Sequence, residues 1–169
     1  MSFYLSLGSP MQSNDFDSIS RIAAKGVVGH PERMLMIKTY HHGYKFPGGG
    51  VKTGEDLLKA LSREIKEETG FSVVNTGDEV GVVYEKRTDI YDPSKIFIMK
   101  TVFIKCSINE KTFCELSLDA YEKELGFTPV FISLKEALAE NERIITVNPD
   151  FDTWLFRDTQ VLKRLLESF

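Results

Sequence analysis

Gly48-Gly49-Gly50-Val51-Lys52-Thr53-Gly54-Glu55-Asp56, continuing through Leu57-Leu58-Lys59-Ala60-Leu61-Ser62 into Arg63-Glu64-Ile65-Lys66-Glu67-Glu68-Thr69-Gly70-Phe71, decides how the rest of the chain is read. Three successive glycines sit poorly in a helix or strand and predict a loop. Thr53 followed by Asp56 has the form of a capping box and predicts a helix starting near Gly54. Leu57, Leu61 and Ile65 recur every four residues and give that helix one buried stripe. Gly70 suits the left-handed residue that ends a helix, with Phe71 as the apolar contact behind it.

The carboxylates need a further explanation. At about 100° per residue, Glu64 and Glu68 fall on the margin of the apolar stripe, and Glu67 lies on the other side of Glu64. Glu67 and Glu68 occupy the last turn, where the negative end of the helix dipole disfavours acids by about 0.3–1 kcal/mol each. Like charges at Glu64 and Glu68 add about 0.2–0.5 kcal/mol. A run of Glu and Lys is ordinarily just a solvated helix face. Here Arg63 can neutralise one charge only, and a divalent cation would balance the rest. Oxygen-only ligation favours magnesium or manganese over zinc.

The full spacing turns that suggestion into a pattern. Gly49, five residues, Glu55, seven residues, Arg63-Glu64, an aliphatic, any residue, Glu67-Glu68, any residue, Gly70 and an apolar residue resemble the Nudix box at every defined position. The resemblance implies an α/β fold, a mixed β-sheet sandwiched between α-helices. It also implies a hydrolase that cleaves a nucleoside diphosphate linked to another moiety, using water and Mg2+ or Mn2+. By the same resemblance Glu67 and Glu68 are the principal metal ligands. Glu64 binds metal or takes the water's proton, and Arg63 holds a neighbouring carboxylate. Gly48 offers its carbonyl to the metal, and Glu55 anchors the loop to the helix. The family often adds an acid from a later loop, for which Glu124 is the first candidate and Glu122 the second.

Outside the box the chain reads as one domain. It has 169 residues, 42% hydrophobic and 27% charged, ordinary values for a globular protein. A net charge of −4 argues against a nucleic-acid polymer as partner. Residues 1–18 read as a peripheral, mobile lead-in, with Phe3-Tyr4-Leu5 able to add an edge strand, and residues 19–169 as the domain. Strands are expected at Arg21 to Val28, Met34 to Thr39, Phe71 to Val74, Glu79 to Lys86, Ile96 to Cys106 and Val130 to Ile132. Turns are expected at Asn75 to Asp78 and at Asn109 to Lys111. Ser133 with Glu136 makes a capping box for a helix Leu134 to Glu140. Trp154, Leu155, Val161, Leu162, Leu165 and Leu166 stripe a closing helix. No signal peptide, membrane span or paired-cysteine pattern is evident, so a cytoplasmic protein with Cys106 and Cys114 reduced is expected.

The substrate is less legible. His41 and His42 precede the glycine loop and could reach a phosphate or base, though a solvated loop explains them equally. Tyr84 or Tyr91 could stack on a base. Glu85 and Lys86 stand where ADP-ribose-cleaving relatives carry proline. By elimination a nucleoside triphosphate, damaged ones included, leads over a dinucleoside polyphosphate or nucleotide sugar. The competing readings are a nucleotide-binding sensor of the same fold that does not cut, and an interaction domain whose acidic helix binds calcium or a basic partner.

Overall fold

Two long strands, each with side chains alternating between two cores, set the frame. A computed structural model describes residues 2–8, 17–41, 43–148 and 153–168. In chain order its elements are β1 Phe3–Leu7, β2 Ser18–His30, β3 Arg33–Thr39, β4 Gly43–Lys45, α1 Leu57–Thr69, β5 Phe71–Thr88, β6 Ile96–Phe113, α2 Ala120–Glu124, β7 Thr128–Ile132, α3 Leu134–Val147 and α4 Thr153–Glu167. The sheet runs β1-β5-β6-β2-β3-β4, with β7 paired to β3. It is mixed. β2 lies parallel to β6 from Ser18 opposite Ile96 to Val28 opposite Cys106, and β1 lies parallel to β5, while the other pairs are antiparallel.

Alternation assigns the two faces. Met34, Met36, Val83 and Phe103 join Leu134 and Ala137 of α3 and Val161, Leu162 and Leu165 of α4 in one core. Leu35, Val82, Val102 and Ile104 join Leu61 and Ile65 of α1 in the other. The sheet is thus sandwiched between α1 on one side and α3 with α4 on the other. Each fully buried leucine or isoleucine contributes about 1.5–3 kcal/mol, so α1 is held chiefly by Leu61 and Ile65.

Several local expectations are corrected. Phe71–Thr88 is one strand, without the turn expected at Asn75 to Asp78; register shifts between Val73 and Gly81 absorb the extra residues as bulges. Asn109 to Lys111 stays within β6, whose pairing with β5 continues to Phe113. The capping box at Ser133 and Glu136 is present, but α3 runs on to Val147. The cap of α1 is Asp56, whose carboxylate accepts from Leu58 N at 3.0 Å and Lys59 N at 3.1 Å, and not Thr53. Gly70 ends α1 as read, with φ 74°. Phe3–Leu7 does form the edge strand, while residues 9–16 of the lead-in and His42 lie outside the described residues.

The glycine loop is strapped along β2. Gly26 N donates to Pro47 O at 2.8 Å, Ala24 N to Gly49 O at 3.0 Å, and Val51 N to Ile22 O at 2.9 Å. These bonds satisfy the free edge of β2 and fix the loop against the end of α1.

Candidate metal and active site

Glu64 and Glu68 stand one turn apart on α1, and Glu122 on α2 completes a group. One carboxylate oxygen from each of the three lies within 4.8 Å of the others. Glu68 and Glu64 share a column because residues four apart on a helix do. Glu122 arrives from far along the chain because Cys114 N donates to Gly70 O and Ser117 N to Glu67 O, both at 2.9 Å. Those bonds lay the segment after β6 against the end of α1. Glu122 is then set by its own cap, its carboxylate accepting from Asp119 N at 2.8 Å.

The other sequence candidates fall differently. Glu67 lies outside that group and accepts from Arg63 Nη1 at 3.1 Å. Glu124 lies outside it too, so among the described loop acids it is the second candidate that meets Glu64 and Glu68. His41 is exposed and lines a small cleft with Lys38, Tyr44 and Arg143. Tyr84 is half-buried on β5, its ring 5.4 Å from that of Tyr4 and packed on the α1-side core. Tyr91 is exposed at the β5–β6 loop.

Arg63 ties the box together. Its Nε and Nη2 each reach Glu55 at 2.8 Å, a bidentate fork, while Nη1 donates to Glu64 at 2.5 Å and Nη2 to Gly50 O at 3.1 Å. The Arg63 hydrogen bonds hold the Glu55 carboxyl down at about 2, helped by the Lys52 amide. Glu64 moves the other way. Burial raises its pKa even against Arg63, with Glu68 and Glu67 adding to the rise. Burial likewise raises Glu122, with Glu68 repulsion contributing, although the Asp119 amide opposes it. The loop is built around these acids: a Cβ at Gly49 would come within 2.3 Å of a Glu64 oxygen, and Gly48 holds φ 123°.

Three oxygen donors on converging carboxylates, two of them reluctant to ionise unaided, fit a hard divalent cation. Ser/His/Asp or cysteine-based arrangements are not what these residues offer.

The sequence reading missed a second layer, made of cations. Glu68, 1% exposed, accepts from Gly48 N at 2.6 Å through one oxygen and faces Lys45 Nζ at 3.4 Å with the other. Lys45 Nζ also sits 4.0 Å above the Phe127 ring and 5.9 Å from that of Trp154. Lys25, 4% exposed, donates to the Gly48 carbonyl. Burial and repulsion from Lys45 bring its pKa down to about 7, against the pull of Glu68 and Asp158. Behind it Asp158 accepts from Phe46 N at 2.9 Å and from Arg157 Nε at 2.8 Å, and Arg157 reaches Glu85 at 3.1 Å. A signal existed for Lys25, a lone charge inside the apolar run Ile22 to Val28. Asp158 gave one too, standing on the apolar stripe of α4 between Leu155 and Leu162.

Comparison with known proteins bears on the same residues. The family model of the NUDIX domain matches residues 20–148. A protein of Methanocaldococcus jannaschii named ADP-ribose pyrophosphatase is 40% identical over 53 residues, which cover 29% of this chain and 31% of that relative's length. Among solved structures, a NUDIX hydrolase from Nitrosomonas europaea superposes with TM-score 0.53 at 20% identity, covering 73% of this chain and 79% of its own. A MutT protein from Bacillus halodurans gives TM-score 0.52 at 17% identity, covering 85% of this chain and 80% of its own. At these identities the structural likeness establishes the fold.

Proposed function

Starting from a chain that belongs to the NUDIX domain family, we propose that it is a metal-dependent pyrophosphohydrolase acting on a nucleoside diphosphate linked to another moiety. The observation that carries this reading is the convergence of Glu64, Glu68 and Glu122 within 4.8 Å beside an ordered Arg63. Those three residues would hold Mg2+ or Mn2+. The ion would supply charge neutralisation of the phosphoanhydride oxygens and acidify a bound water.

The chain's own groups do the rest. Arg63, locked by Glu55, keeps the Glu64 carboxylate in one orientation. Glu64, with its pKa raised by burial, is a stronger base than an ordinary carboxylate and suits taking the proton from the attacking water. Glu67, paired with Arg63 and partly exposed, stands ready at the mouth of the site as a further acid for the substrate-bound state. Gly49, lacking a side chain, keeps the approach to Glu64 open.

For the moiety beyond the diphosphate, a nucleoside triphosphate remains the first reading, by the same elimination made from the sequence. ADP-ribose is the second, favoured by the name of the relative matched over 53 residues. Glu85 and Lys86 still stand where proline would support it. A panel of nucleoside triphosphates, ADP-ribose, nucleotide sugars and dinucleoside polyphosphates, assayed with and without Mg2+, tests both. Metal-dependent release of a nucleoside monophosphate together with the remaining moiety as its phosphate, pyrophosphate in the case of a triphosphate, is expected. Glu64→Gln should lower turnover about 10²–10⁴-fold, and Glu122→Ala at least about 10-fold, while Glu124→Ala changes little. Hydrolysis that survives both Glu64→Gln and metal removal would refute the proposal.

A further inference from the structure

β1 leaves one edge of the sheet open. It pairs in parallel with β5, from Phe3 opposite Gly81 to Leu7 opposite Glu85. Among the described residues nothing bonds to its backbone on the other side, so the N–H and C=O groups turned away from β5 face solvent. The other edges are blunted. Beyond β4, Asn141 closes the ladder: its Oδ1 accepts from Tyr44 N at 2.8 Å and its Nδ2 donates to Tyr44 O at 2.9 Å. Asp158 accepts from Phe46 N next to it. β7 carries Pro129, which has no N–H to offer. The first half of β5, beyond the end of β1, is broken by register shifts between Phe71 and Gly81.

Sheets avoid edge-to-edge pairing by such devices, or by placing charges on the edge strand. Ser2-Phe3-Tyr4-Leu5-Ser6-Leu7 has neither charge nor proline, its register is unbroken, and Tyr4 is 68% exposed. The strand is also complementary to itself. Two copies laid antiparallel about a two-fold axis at Leu5 set Phe3 opposite Leu7, Leu5 opposite Leu5 and Tyr4 opposite Ser6. Phe3, Leu5 and Leu7 pack against the core under α3 and α4, so the two copies would join apolar rows on that face. Tyr4 and Ser6 would meet on the other face. No like charges are opposed. α4 ends beside Ser2 to Tyr4, where Arg164 and Glu167 pair with each other and add no net charge to the seam.

We propose that this chain pairs through β1 with the β1 of a second copy, antiparallel about Leu5, so that two sheets become one across a two-fold axis. A strand from another protein would have to supply a matching uncharged edge; a second copy always does. None of these residues belongs to the acid group, so the pairing is testable apart from hydrolysis.

Light scattering on gel-filtered protein, over a dilution series, reads the mass. Wild-type protein at the concentrated end is expected to reach twice the 19.2 kDa of one chain. Tyr4→Lys with Ser6→Lys opposes like charges in both cross-strand pairs and is expected to stay at one chain. Tyr4→Lys with Ser6→Glu opposes unlike charges in the same register and is expected to keep two. Both positions are exposed, so circular dichroism should show both variants folded. Should either fail to fold, hydrogen exchange of the wild-type amides from Phe3 to Leu7 decides, with protection expected to rise with concentration. A single-chain mass for wild type at every concentration would overturn the proposal and leave the edge to a strand of another protein. Equal masses for the two folded variants would also overturn it, because opposed charges would then play no part. Exchange that ignores concentration would do the same.

Discussion

Glu64 carries an electrostatic penalty in the metal-free protein. It is half-buried, bonded to Arg63 at 2.5 Å, and still raised above its ordinary value of 4.5 because burial outweighs that partner. In the unfolded chain the same carboxyl titrates near the ordinary value. As pH rises from below 4.5, the unfolded state loses its proton first, so the folded state binds more protons and stability falls until the folded group has ionised too. At pH 7 the whole penalty is present. Glu64→Gln should therefore raise the melting temperature of metal-free protein at pH 7. Relief of the like-charge contact with Glu68, about 0.2–0.5 kcal/mol, corresponds to about 0.4–2 °C for a chain of this size. Scanning calorimetry in a chelator should show that gain at pH 7 and not at pH 4. Saturating Mg2+ should abolish it, since the wild-type carboxylate then has its counter-ion.

At the scale of elements, α1 is where sequence and structure agree best and where one residue was misplaced. The stripe of Leu57, Leu61 and Ile65 and the closing Gly70 follow from periodicity and the αL requirement, and both are local facts. Thr53 and Asp56 are both good capping residues three positions apart, so local spacing does not choose between them. Glu55, engaged by Arg63 and by Lys52 N at 3.0 Å, holds the chain in a turn before the helix, so Asp56 becomes the last non-helical residue. Asp56→Ala should then cost about 1 kcal/mol, or about 2–4 °C in a thermal melt. Thr53→Ala should leave the melt unchanged. The opposite order would restore the first assignment. β5 and β6 illustrate the converse: polar Asn75 to Asp78 and Asn109 to Lys111 carry turn chemistry, yet the strands pair on both sides of each stretch, and the extra residues are taken up as register shifts within continuous strands.

For the whole molecule, α4 closes the site from behind. It lies beyond residue 148, where the NUDIX domain match ends, yet its Asp158 is fully buried and bonded to Phe46 N, the residue two before Gly48. Asp158 thus ties the last helix, with Arg157 and through it Glu85 of β5, to Phe46 ahead of the glycine loop, and its charge acts on Lys25, which is bonded to Gly48 O. Removing one member of such a buried network leaves the others uncompensated. Asp158→Ala should lower stability by about 3–5 kcal/mol in urea unfolding. A loss below about 1 kcal/mol would mean that Arg157 and Lys25 find other partners.

What the sequence determined by itself was everything written in local spacing: the box, the helix that carries it and its closing glycine; the α/β class was implied by the resemblance of that box to a known family. Charge crowding at Glu64, Glu67 and Glu68 is visible in one helical turn, because helix geometry is the same in any protein. What only the tertiary structure decided was which acids meet and what answers them. Glu122, Lys25, Lys45 and Asp158 come from separate strands and helices. Their meeting depends on sheet order and on backbone hydrogen bonds between distant segments, for which a linear spacing has no code.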